Sequence, residues 1–212
     1  MKRPRVVGKE QRSSEILDAA KKVFFEKGFK NTTMESIADK ARVSKGTLYF
    51  YFKTKEDLYM SMMMPVLEEL GRQLLEFEQA IMSRRAYSSC EELFKGMFEL
   101  LWRVYQFDPE GIRIVQAFQQ GDHFSEMSDA TLSKINERAR LNYGIMRKSL
   151  SCAIEAGVLR QTDVIRLSDA IWATFIGIIQ VEESKLRAAK KDHLYETLKF
   201  SFSIIIEGIC KS

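Results

Sequence analysis

Apolar residues recur along the chain at spacings of three and four, the period of a helix with one buried face. From Ser13 to Lys27 the stripe is Ile16, Leu17, Ala20, Val23 and Phe24, and Gly28 stands where such a helix would be capped. Thr32 and Glu35 have capping-box spacing at the head of a second, short helix. It runs to about Ala41, with Met34, Ile37, Ala38 and Ala41 turned inward. After the turn Val43-Ser44-Lys45-Gly46, Ser44 is placed to cap a third element that Thr47 to Phe52 completes. Thr54, followed by the acidic Glu56 and Asp57, suits the start of a long helix reaching about Arg84. Further helices are predicted over about 89–106, 110–121, 127–156, 163–188 and 192–210. Turn signals divide them at Asp108-Pro109, Gly121-Asp122, Gly157 and Lys190-Lys191-Asp192. No useful stretch alternates with period two, so the fold class is all-α.

Two short helices joined by a tight turn, the second rich in aromatic residues, have the layout of a helix-turn-helix, whose second helix enters the DNA major groove. At 100° per residue Leu48 and Phe52 fall on the inward face. Gly46, Thr47 and Phe50 cluster opposite, flanked by Tyr49 and Tyr51. A glycine in the first turn costs a helix about 1 kcal/mol relative to alanine, so Gly46 makes most sense where backbone must approach another surface. Lys45 can reach a guanine edge or a phosphate, Thr47 offers a hydroxyl and a methyl, and the tyrosines offer phenolic donors.

Charge sharpens this picture. The formal balance is +4 over 212 residues, but residues 1–60 hold 14 Lys and Arg against 8 Asp and Glu, while the remainder holds 19 against 21. The anionic partner is therefore expected at the N-terminal quarter, nucleic acid ahead of membrane. The longest apolar run, Ile171 to Val181, falls short of the roughly 20 residues of a spanning helix. No apolar region follows Met1-Lys2-Arg3-Pro4-Arg5, which makes the reducing cytoplasm the expected location and membrane an unexpected partner. Cys90, Cys152 and Cys210 lie about sixty residues apart and read as packing residues rather than a disulfide framework or zinc site. No metal, cofactor or catalytic motif emerges, so an enzyme is not expected.

The stretch Ile16-Leu17-Asp18-Ala19-Ala20 through Phe24, Lys27-Gly28-Phe29, Thr32-Thr33, Ile37-Ala38, Val43-Ser44-Lys45-Gly46-Thr47-Leu48-Tyr49, Phe52 and Lys55-Glu56-Asp57-Leu58 closely resembles the DNA-binding domain of TetR-family transcriptional regulators. The resemblance implies a basic arm over residues 1–12, a helix-turn-helix domain over 13–58 and a helical ligand-binding and dimerisation domain over 59–212. It implies base or near-base contacts from Lys45, Gly46, Thr47 and Tyr49, and phosphate contacts from Thr33, Ser44, Tyr51 and Lys55. Two positions depart from the family pattern. Phe50 stands where tyrosine or tryptophan is common and is expected to pack on a thymine methyl, and Tyr51 stands in place of the usual histidine. Lys2, Arg3, Arg5, Lys9 and Arg12 are expected to form a disordered cationic arm on the DNA.

In the body, Met97, Phe98, Leu101, Trp102 and Tyr105 recur at helical spacing, with Phe118, Tyr143, Met146, Trp172, Phe175 and Ile179 on later helices. These are expected to form the apolar interior and, within it, the pocket for a bulky, largely apolar inducer. Ala170, Ala173 and Gly177, with Phe202, Ile205, Ile206 and Ile209, are the expected homodimer face. Met60, Met63 and Met64 read as core, His123 as a surface loop, and Glu182-Glu183 as a solvated pair. The implied function is a ligand-responsive regulator, a repressor released from a palindromic operator. The alternative is a ligand-independent adaptor on the same fold, controlled by a protein partner.

Overall fold

The computed structural model describes residues 4–83, 87–120, 127–190 and 192–210. Among them there are nine helices and no strand. These are α1 (Pro4–Asn31), α2 (Met34–Ala41), α3 (Lys45–Tyr51), α4 (Lys55–Met82), α5 (Cys90–Phe107), α6 (Pro109–Gln119), α7 (Asp129–Glu155), α8 (Val164–Ala189) and α9 (Leu194–Cys210). Two compact units divide them: residues 1–66 with 108–137, and residues 67–107 with 138–212. Helices α4 and α7 each contribute to both.

In the first unit the stripe predicted for α1 is buried at Ile16, Ala20, Val23 and Phe24, together with Ile37 and Ala38 of α2, Leu48 of α3 and Leu58, Met62 and Met63 of α4. Phe24, Phe29 and Tyr59 form its aromatic centre, with ring centroids 5.1–5.7 Å apart. The Tyr59 hydroxyl donates to the Ile114 carbonyl of α6 at 3.0 Å, and burial pushes that phenol's pKa up. Asp108 caps α6 by accepting from the Gly111 amide at 2.9 Å, and its carboxylate also meets Lys21 of α1 at 3.2 Å. A Cβ on Gly111 would collide with Val66 and Asp108, so only glycine lets α6 approach α4 this closely.

The second unit buries Leu70, Leu74 and Phe77 of α4, Leu93, Phe94 and Leu100 of α5, Leu150 of α7, Ile171 of α8 and Leu194 and Leu198 of α9. Within this unit α5 and α8 each pack against α9. Val164–Leu186 of α8 is long and apolar enough, by length and composition alone, to cross a membrane, a longer stretch than Ile171 to Val181 suggested. Here it is a packing helix.

Several expectations change. Helix α1 begins at Pro4 rather than Ser13, so residues 4–12 are helical and not a loose arm. That turn carries no apolar stripe by which periodicity could detect it. Proline suits a first helical position, and Arg12 and Glu15 pair at 2.6 Å. Gly28 does interrupt the helix, at φ 74° and ψ 168°, a region that only glycine enters readily. The cap of α2 is Thr33, not Thr32, and its reciprocal partner is Ser36 rather than Glu35. Thr32 is buried and donates to the Gly28 carbonyl at 2.7 Å. Cys90 and Cys210 are disulfide-bonded, their Cα atoms 5.6 Å apart, which a sequence separation of 120 residues conceals. Glu182 and Glu183 are buried rather than solvated. His123, Lys2 and Arg3 lie outside the described residues, as does the side chain of Arg5.

Candidate nucleic-acid interface

The presentation of α3 is fixed by caps at both ends of the turn before it. Arg42 ends α2 in the left-handed region, φ 55°, and the Val43 amide returns to the Ala38 carbonyl at 3.0 Å. Ser44 then accepts from the Thr47 amide at 3.0 Å, and the two hydroxyls lie 2.8 Å apart. Helix α3 therefore starts at Lys45, directly after the Ser44 cap expected from the sequence. Leu48 and Phe52 are buried beneath it, while Tyr49 is 40 % and Phe50 65 % exposed. Among the described residues, its chain neighbours and own helix backbone aside, only the Ser44 hydroxyl, at 3.9 Å, lies near a Cβ added at Gly46.

The outward face is polar at its edges and aromatic at its centre. Phe50 meets Tyr51 edge to face at 5.3 Å, and the Lys9 ammonium sits 5.3 Å from the Phe50 ring centroid. The α1 extension thus delivers a cation to the recognition helix. Lys45 pairs with Glu35 at 3.1 Å. A hydrogen bond to its own backbone amide, then the Lys45 ammonium, hold the Glu35 carboxyl below the ordinary carboxylate range. Thr33 accepts from the Ser36 amide at 3.1 Å and remains exposed.

Lys55 differs from expectation. Its ammonium donates to the Phe29 carbonyl at 3.0 Å and the Lys30 carbonyl at 3.4 Å, and lies 4.4 Å from the Phe29 ring centroid. The reason is local: Gly28 breaks α1 and leaves carbonyls at its end that a cation can satisfy.

Of the residues expected to line a ligand pocket, Met97, Leu101, Met146, Trp172, Phe175 and Ile179 are buried in the second unit. Trp102, Tyr105 and Tyr143 are half-buried there, with Trp102 stacked on Tyr105 at 5.4 Å. Phe118 belongs to the first unit. Reading apolar periodicity alone passed over the polar side chains that fall on the same inward faces. Asn142 and Ser149 lie on the buried stripe of α7, Ser168 and Glu182 on that of α8. The Nε1 of Trp172 and the Oδ1 of Asn142 are buried with no hydrogen-bond partner among the described residues.

Of the expected dimer residues, Phe202 is buried against Phe98 of its own chain, the rings 5.6 Å apart, and Ile205, Ile206 and Ile209 are half-buried. The exposed apolar positions of α9 are Phe200 and Ile204, at 65 % and 54 %. Two residues is a 200° rotation, so the expected stripe lies on the opposite side of α9 from these exposed positions. Ala170 and Ala173 of α8 are exposed and Gly177 is half-buried. Among the described residues no group of three or more His, Cys, Asp or Glu could hold a metal ion.

The sequence profile of the bacterial regulatory proteins of the tetR family matches residues 16–62, the segment that forms this surface. Residues 16–62 are a TetR-family regulatory domain. It is 27 % identical over 148 residues to YhgD, an uncharacterized HTH-type transcriptional regulator of Bacillus subtilis, covering 70 % of this chain and 72 % of YhgD. The fold of the chain matches that of PfmR, a TetR-family transcriptional regulator from Thermus thermophilus, with a TM-score of 0.72, 20 % identity and coverage of 91 % and 97 %. It also matches the transcriptional regulator FadR from Bacillus subtilis, solved in complex with stearoyl-CoA, with a TM-score of 0.64, 22 % identity and coverage of 92 % and 98 %. The chain is accordingly a helix-turn-helix transcriptional regulator.

Proposed function

We propose that this regulator is a homodimeric repressor released from a palindromic operator by a bulky, largely apolar small molecule, and that an acyl thioester of coenzyme A is the first class to test. The observation that carries the DNA reading is the outward face of α3. Gly46, Tyr49 and Phe50 are exposed on the face of α3 opposite the buried Leu48. Lys45, Gly46, Thr47 and Tyr49 then read or approach base edges, Phe50 packs on a thymine methyl, and Thr33, Ser44 and Tyr51 hold phosphates. Lys55 is withdrawn from the phosphate group because its ammonium serves the end of α1.

The ligand reading is supported by the aromatic and Met-rich interior of the second unit, where Trp172 Nε1 and Asn142 Oδ1 are buried polar atoms to which a ligand could offer a partner. FadR from Bacillus subtilis, with its stearoyl-CoA, supports the choice of class. The dimer reading rests on α8 and α9: Ala170, Ala173, Gly177 and Val181 share one helical face, and Phe200 and Ile204 are exposed on α9. Two-fold symmetry would place two α3 helices in successive major grooves, about 34–36 Å apart. Helix α4 is the lever. It runs unbroken from Lys55 to Met82, and the division into units falls one residue after Pro65, which cannot donate to the helical ladder. A DNA-bound regulator of this kind works in the cytoplasm.

The test is nuclease protection of promoter-proximal DNA by the purified chain, repeated with long- and short-chain acyl-CoA, free fatty acid and other apolar compounds. A palindromic footprint released by acyl-CoA is expected, and Lys45→Ala should weaken it by about tenfold or more. A footprint indifferent to every compound overturns the ligand reading; a footprint without two-fold symmetry overturns the dimer.

A further inference from the structure

Helices α5 and α9 meet in one antiparallel register. Phe98 packs on Phe202 at 5.6 Å and on Tyr195 at 5.5 Å, and Trp102 packs on Tyr195 at 5.0 Å. Following that register outward by eight residues on each helix, about 12 Å, brings Cys90 opposite Cys210, where the disulfide lies. The bond therefore sits at the open end of a zip whose closed end is aromatic.

The end of α9 is lightly packed. Phe202 is the last residue of α9 that is fully buried; Ile205, Ile206 and Ile209 are half-buried, and Ser203, Ile204, Glu207 and Gly208 are exposed. Besides the disulfide, exposed Arg160 donates a hydrogen bond to the Gly208 carbonyl there, 3.1 Å. Cys90 and Cys210 are themselves half-exposed, within reach of small solutes. A regulator that binds bacterial DNA works in a reducing compartment, where a protein disulfide is transient or redox-sensing rather than a permanent brace.

We propose that Cys90 and Cys210 are a reversible dithiol/disulfide pair that clamps the last two turns of α9 when a low-molecular-weight disulfide oxidises them, and releases those turns when reduced. One cysteine thiolate attacks a sulfur of the small disulfide, whose S–S bond breaks and whose first thiolate leaves, forming a mixed disulfide on the protein. The second cysteine thiolate attacks the protein sulfur of that mixed disulfide, closing Cys90–Cys210 and expelling the second small thiolate. The two protons given up by the cysteines end on the two departing thiolates, so two protein thiols are oxidised and one small disulfide is reduced to two thiols. The aromatic contacts keep the two sulfurs near each other in the reduced state, which favours closure over accumulation of the mixed disulfide. The free Cys152, on α7, takes no part. Because the clamped turns adjoin Phe200 and Ile204, oxidation strengthens the dimer; this last consequence rests on the dimer reading above, whereas the redox pair does not.

The full chain is equilibrated with reduced and oxidised glutathione at graded ratios, quenched with a maleimide and weighed intact. Three labels are expected with reduced glutathione in large excess, and one, on Cys152, at equal or more oxidising mixtures. Amide exchange over residues 203–210 should be about tenfold or more slower in the oxidised protein, and that difference should vanish in Cys210→Ser and in Cys90→Ser. A bond that survives excess reduced glutathione under native conditions, a mixed disulfide that never closes, or equal exchange in both states overturns the proposal. The reduced wild-type protein supplies the comparison without substitution if either variant fails to fold. Light scattering separates the two readings: a monomer in both states, with labelling and exchange as expected, removes the dimer and its link to oxidation but leaves the clamp.

Discussion

Glu56 and Glu182 are carboxylates set at helix junctions in different units, and they are treated differently. In the first unit Glu56 Oε2 accepts from the Ser128 amide at 3.1 Å, the Ser128 hydroxyl at 2.8 Å and the Thr131 hydroxyl at 2.8 Å. These donors tie the start of α4, just past the recognition helix, to the head of α7. In the second unit Glu182 is 2 % exposed. Its Oε1 accepts from Lys185 at 2.7 Å and Thr197 at 3.0 Å, while Oε2 is buried with no hydrogen-bond partner among the described residues. The difference teaches what each unit is for. Satisfied polar junctions make a rigid platform that holds α3 in one pose, whereas buried polar atoms short of a partner leave an interior whose arrangement can still be improved.

The platform is broken most severely from beneath. Leu48 is wholly buried under the outward residues of α3, so Leu48→Ala removes the packing that every cap around it presupposes. The expected loss is about 2–5 kcal/mol of unfolding free energy, read by urea denaturation, with DNA binding lost in parallel. A loss near zero would mean that the caps alone hold the helix.

Breaking the Glu56 junction should do less. Burial acts to raise the Glu56 carboxyl, but hydrogen bonds from Thr131 and Ser128 and the charge of Lys55 outweigh it and hold the group below its ordinary value. A carboxyl depressed in the folded state contributes stability that is present above its unfolded pKa, about 4.3, and fades as pH falls through the lower folded value. Glu56→Gln should cost about 1 kcal/mol at pH 7 and flatten the acid limb of the stability profile below about pH 4. An unchanged limb would show that these hydrogen bonds do not form in solution.

These two regions were unequally legible in the sequence. The platform could be read because its determinants are local: Gly28, Ser44, Leu48 and Phe52 act through neighbours within a few residues, and apolar period and capping chemistry report such neighbours. Where local rules offered two adjacent candidates, as with Thr32 and Thr33, the choice went wrong by one position, because buried Thr32 is taken by the Gly28 carbonyl. The body could be read as helices, whose limits fell within about two residues, but not as a packed arrangement. Which face of α9 points inward is decided by Phe98, about a hundred residues away, and the pairing of Cys90 with Cys210 by the register of two whole helices. Glu182 misled for the same reason, since adjacent glutamates look solvated until Thr197 and Lys185 are seen to cover one of them.

The mildest change sharpens the comparison most. Lys185, then Thr197, hold the Glu182 carboxyl below its ordinary value against the opposing effect of burial. Glu182→Gln keeps an acceptor for both donors and turns the unpartnered atom into an amide donor. It exchanges one incompletely satisfied group for another of the same size. The expected shift in melting temperature at pH 7 is therefore smaller than that of Glu56→Gln, in either direction, and the acid limb should move less. If the second unit instead loses as much stability as the first, its buried carboxylate is held as firmly as Glu56, and the contrast between a fixed platform and an adjustable interior disappears. If the change is small in the free protein but grows when a ligand is present, the ligand depends on this part of α8, and the adjustable interior has been caught at work.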